Sequence, residues 1–99
     1  MTCSLDLQSH FNDERVIVFA DQVRVFSGHV TTEPSTGLAK HLSIPSHGSY
    51  LHLRIEVPNT ASQLEQTFDL RRGRYLGLSR NHSTKQLVIE QQAATFFYD

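Results

Sequence analysis

A single cysteine, Cys3, in 99 residues rules out an internal disulfide. Small exported domains often depend on such staples, so their absence points to a reducing compartment, and the expected location is cytoplasmic. The N-terminal run Met-Thr-Cys-Ser-Leu-Asp-Leu lacks the basic start and apolar core of a signal peptide. No segment approaches the ~18 consecutive apolar residues of a membrane-spanning helix. Charge of one sign is missing too. The formal net charge is -1 with histidine neutral, so no global field steers the chain to nucleic acid or an anionic membrane.

The signatures of chemistry are absent as well. There is no Gly-x-Ser-x-Gly elbow, no His-Glu-x-x-His, no Cys-x-x-Cys and no Gly-Lys-Ser phosphate cradle. No Asp-x-Asp-x-Asp-Gly run offers a calcium loop. The expectation is a protein that is not an enzyme and carries no cofactor. Helical periodicity is almost nowhere to be found, and no repeat or low-complexity segment occurs.

What the chain does have is alternation. Leu51, Leu53, Ile55 and Val57 fall on one side of a strand; Tyr50, His52, Arg54 and Glu56 fall on the other. Leu5 and Leu7 alternate in the same way, as do Lys40, Leu42 and Ile44. Val16-Ile17-Val18-Phe19 reads as a strand covered on both faces, and with Val23–Val30 it predicts a hairpin. Ser27-Gly28 is the expected bulge in that hairpin. Pro34, Gly37, Pro45, Gly48 and Pro58 punctuate the runs. Ala61–Glu65 reads as loop and Gln66–Leu70 as a brief strand. Arg80–Lys85 reads as a polar hairpin loop, and Thr95–Tyr98 as a closing strand.

Strand signals thus recur about every 8–12 residues, with no room for crossover helices. The 38% apolar content is enough for one thin core. The expectation is one domain over residues 1–99: an all-β, antiparallel β-sandwich of about eight short strands, preferred over a small barrel. The run Val23-x-Val25-Phe26-x-Gly28-x-Val30 resembles hairpins of immunoglobulin-like and transthyretin-like sandwiches. That resemblance covers under a tenth of the chain and implies no particular site residue.

Three clusters are candidate sites. His41, His47 and His52 fall within twelve positions, and a strand–loop–strand trio of imidazoles is a possible Zn²⁺ or Cu²⁺ site if the flanking strands pair. Solvated surface histidines are the plain alternative. Arg71, Arg72, Arg74, Arg80 and Lys85 fall in one acid-free window around Tyr75. Guanidinium forks suit carboxylate or phosphate, and a ring suits stacking. The alternative is a solvated turn whose arginines pair with Asp69, Glu65 or Glu90. Third, alternation sends Phe97 and Tyr98 to opposite sides of the last strand, so one ring is available to a partner.

The leading expectation is a non-catalytic binding or protein-interaction module, self-associating through an edge strand. The partner-binding candidates are Arg71, Arg72, Arg74, Tyr75, Arg80, Phe97 and Tyr98. Histidine-based metal binding and anion or nucleic-acid binding at the arginine turns are the alternatives.

Overall fold

Alternating β-branched and leucine-rich runs become strands because each buries one face and wets the other. A computed structural model describes residues 2–96. Its strands are β1 (Thr2–Leu7), β2 (Glu14–Ala20), β3 (Val23–Val30), β4 (Lys40–Pro45), β5 (Tyr50–Val57), β6 (Ser62–Asp69), β7 (Tyr75–Arg80) and β8 (Leu87–Gln92). Short 3-10 turns at Pro58–Thr60 and Leu70–Arg72 flank β6. Among the described residues no helix is long and apolar enough to cross a membrane.

The strands form two four-stranded sheets, ordered β4-β1-β7-β8 and β3-β2-β5-β6. One core joins them. Cys3, Leu5, Leu7, Ile44, Leu76 and Leu78 from the first sheet meet Val16, Val18, Leu51, Leu53, Ile55, Val57 and Phe68 from the second. The extents of 34 × 29 × 21 Å suit two layers, since facing sheets lie about 10 Å apart.

Pairing is not wholly antiparallel. β1 runs parallel to β7, with Leu5 opposite Leu76 and Leu7 opposite Leu78. Parallel neighbours need a long connection, and a helix is only its usual form. Here the connection runs through every strand of the second sheet.

The β2–β3 hairpin forms as the sequence predicts. Its turn residues Asp21 and Gln22 take φ values of 49° and 72°, the paired left-handed conformation that suits the twist of a tight hairpin. Its irregularity lies elsewhere than Ser27-Gly28. Val18 faces Phe26 and Phe19 faces Arg24, which leaves Val25 as the extra residue. β2 is covered less fully than its composition suggests. Val16 and Val18 are buried, whereas Phe19 is half-buried beneath the Arg54 guanidinium, 4.1 Å from the ring centre.

β6 is the largest departure from the sequence pattern. Ser62–Asp69 is one continuous strand, registered residue for residue on β5 from Val57–Ser62 to Tyr50–Asp69. As an edge strand it needs only one apolar neighbour, so its Gln and Glu content does not break it. At the other end of the chain, Thr95 and Phe96 lie outside any strand.

Candidate functional site

The turn after β6 gathers the basic cluster. Asp69 caps the 3-10 turn by accepting a hydrogen bond from the Arg71 backbone N–H at 3.0 Å. The same carboxylate takes Arg71 in a two-pronged grip, Nε to Oδ1 and Nη2 to Oδ2, both at 2.9 Å. Arg71 Nη2 also donates to the Tyr50 hydroxyl at 2.8 Å. The Arg71 donors hold the Asp69 carboxyl below the usual carboxylate range, and the Asp69 carboxylate in turn raises Arg71 further above its own.

Gly73 ends the turn at φ 155°, a conformation that favours glycine. A Cβ there would stand 2.3 Å from the Gln92 carbonyl oxygen. Gln91 braces the same corner, its side-chain amide donating to Asp69 O and Gly73 O at 2.9 Å each. Arg74 then swings toward β1 and the β4–β5 loop. Its Nε donates to Thr2 O at 3.0 Å and its Nη2 to Ser46 Oγ at 2.6 Å. A cleft of about 380 Å³ opens between these pieces, with Thr2, Ser4, Arg71, Gly73, Arg74 and Tyr75 in its walls and Leu70 and Ala93 beside them.

Three of the predicted partner residues, Arg71, Arg74 and Tyr75, therefore line one cleft, and the exposed Arg72 stands in the same turn. Arg80 does not join them. It is 2% exposed and points between the sheets, in phase with Leu76 and Leu78. Glu14 pairs with its Nη1; Thr60 Oγ1 and Lys85 O accept from Nη2 at 3.0 Å each. This corrects the reading of Arg80 as a loop arginine available to a partner. Phe97 and Tyr98 lie outside the described residues.

The histidine trio does not converge. His41 lies on β4 and His52 on β5, which belong to different sheets, so the strand pairing that the trio required is not made. His41 Nδ1 instead meets Asp6 Oδ1 at 2.5 Å on the outer face of the first sheet. His52 bonds Thr67 Oγ1 and Glu65 Oε2 at 3.0 and 2.8 Å on the second. His47 is exposed in the loop between β4 and β5. Among the described residues no three His, Cys, Asp or Glu side chains could hold a metal ion.

Sequence reasoning missed the contributions of Thr2, Ser4, Ser46 and Ala93, which the parallel β1–β7 pairing, the β4–β5 loop and the end of β8 bring to the arginines. A signal for Arg80 did exist: strand parity from Leu76 and Leu78 already directs it inward.

The second surface of interest is an edge. β8 has β7 on one side and, among the described residues, no strand on the other. Val88 is 55% exposed on it. No family model, curated protein or solved structure matches this chain.

Proposed function

We propose that the chain is a non-catalytic interaction module built as a β-sandwich, and that β8 pairs with β8 of a second copy. Cys3, the one thiol, is fully buried and burial pushes it up to about 11, so it does not serve as a nucleophile in the folded chain. Strand order bears on the sandwich type. Immunoglobulin-like domains lay their first two strands side by side in one sheet. Here β1 and β2 lie in opposite sheets, which favours the transthyretin-like alternative.

The observation that carries the reading is how differently the edges are guarded. Natural edge strands resist pairing through lysine, proline, charge and bulges. β4 begins at Lys40 and ends at Pro45. β3 carries Arg24, His29 and the extra residue Val25. β6 carries Glu65 and Asp69. β8, Leu-Val-Ile-Glu-Gln-Gln, has one charge and no proline.

The register of the pair follows from hydrogen-bond phase. Asn81 N donates to Gln86 O, so bonded pairs recur at Val88 and Glu90 on the β7 side. The main-chain groups of Leu87, Ile89 and Gln91 then point outward. Antiparallel self-pairing centred on Val88 sets Leu87 against the partner's Ile89 in bonded pairs. It brings the two exposed Val88 side chains together and keeps the two Glu90 carboxylates apart.

Cross-linking tests both the dimer and its register. Opposed residues of a non-bonded antiparallel pair have Cα atoms about 4.5 Å apart, within the disulfide range. Val88→Cys is expected to form a covalent dimer under mild oxidation. Glu90→Cys, about 14 Å from its counterpart at ~3.4 Å per residue, is expected to stay uncross-linked. Wild-type chain that scatters light as a monomer at about 100 µM, with Val88→Cys remaining uncross-linked, overturns the proposal.

A further inference from the structure

The Arg71–Tyr75 cleft is built on the turn between β6 and β7, and its chemistry points to a ligand of its own. We propose that it binds the dianion of a phosphate monoester.

The argument starts from how the guanidiniums are held. Arg74 is fixed through Nε and Nη2 by Thr2 O and Ser46 Oγ, and Ser46 is itself 4% exposed. Arg71 is fixed through Nε and Nη2 by Asp69 and Tyr50. In both residues one edge of the fork is spent on the protein, and among the described residues nothing takes the remaining Nη1 group. An arginine tethered in this way loses little freedom on binding, which is what pre-organisation means in energetic terms.

Charge selects the ligand class. Among the described residues Asp69 is the one carboxylate bonded to this turn, so Arg71, Arg72 and Arg74 leave it an excess of two positive charges. A carboxylate offers one charge and two oxygens. A phosphate monoester offers about -1.5 to -2 and three terminal oxygens at neutral pH. Thr2, Ser4 and Tyr75 also line the cleft, and each carries a hydroxyl group able to act as a neutral donor. Leu70 and Ala93 give the ester carbon an apolar surface. At about 380 Å³ the cleft lies at the small end of the range for ligand pockets. The corner is also stiff, because Gln91 ties Asp69 O and Gly73 O together.

Such a group arrives either on a free small molecule or on a phosphorylated side chain of a protein, and the test separates the two. ¹⁵N-labelled chain is titrated at low salt with methyl phosphate, dimethyl phosphate, acetate and a phosphoserine tripeptide. Methyl phosphate is expected to move the amide signals of Gly73, Arg74, Tyr75 and Ala93. Dimethyl phosphate and acetate, each a monoanion, are expected to bind at least about tenfold more weakly. Arg71→Gln, at an exposed position, is expected to weaken methyl phosphate about tenfold with the fold unchanged by circular dichroism. Arg74→Lys keeps a charge but loses the fork, and is expected to weaken it comparably.

Affinity for the tripeptide more than about tenfold above that for methyl phosphate assigns a phosphoprotein source; equal affinity assigns a free ester. Shifts absent from these residues, equal affinity for acetate, or unchanged binding in Arg71→Gln overturns the proposal. Val88 does not line the cleft, so methyl phosphate binding and Val88→Cys cross-linking are read separately.

Discussion

Arg80 brings a full positive charge between the two sheets, where its side chain is 0% exposed and its partner Glu14 is 16% exposed. Its Nε has no hydrogen-bond partner among the described residues. Removing one member of a buried pair strands the other, at a cost of about 3–5 kcal/mol. Arg80→Ala is expected to lose stability in that range by urea unfolding. Arg80→Met combined with Glu14→Leu is expected to recover most of the loss, because apolar replacement of both partners is often neutral. Glycines separate in the same way. At Gly73 an added Cβ meets the Gln92 backbone, and φ is 155°. At Gly77 its nearest neighbours at 2.7 Å are the end atoms of the flexible Gln8 side chain rather than backbone. Gly73→Ala is therefore expected to cost about 1–3 kcal/mol in backbone strain alone and to lower Tm well below that of Gly77→Ala. Periodicity makes the inward turn of Leu76, Leu78 and Arg80 readable from sequence. It says nothing about which distant acid meets the arginine, because Glu14 lies 66 residues away.

Elements differ in how much of their form is their own. β5 was legible because Leu51, Leu53, Ile55 and Val57 are all fully buried and the residues between them are not. β6 was not, since its strand is set by pairing along β5 and its own pattern ends in Phe68 alone as a buried side chain. The parallel β1–β7 pair was illegible for a related reason: alternation gives a strand's face and not its neighbour. The basic turn was legible as a turn, but the cleft needed β1 beside β7. At this scale Asp69 is the cap that shapes the turn. Its carboxyl is held low chiefly by the Arg71 side-chain hydrogen bond. A depressed folded value makes the cap's contribution full above the unfolded value of 3.8, and the contribution fades as pH falls through the folded value. Carboxyl-detected NMR titration is expected to place Asp69 below 3.8. Asp69→Asn is expected to remove that part of the acid dependence and to loosen Gly73.

The molecule as a whole offers an internal reporter of whether its two sheets come apart together. Cys3 is 0% exposed on β1, between β4 and β7, with Ile44 opposite it. Burial raises its thiol from 9.0 to about 11, while Arg74 opposes the shift. The unfolded thiol ionises first, so stability is full below pH 9.0 and declines as pH climbs toward 11. At pH 8 a folded chain therefore presents almost no thiolate to an alkylating agent, and no path to it. Because the two sheets share one core, opening the first exposes the apolar face of the second. Iodoacetamide labelling of Cys3 across a urea series is thus expected to follow the far-ultraviolet circular dichroism transition, with a common midpoint, as one cooperative unit requires. Labelling that rises at clearly lower urea would mean that β4-β1-β7-β8 opens while β3-β2-β5-β6 persists. The parallel β1–β7 contact would then be the weak joint of the fold, and the cleft that depends on it would open before the rest.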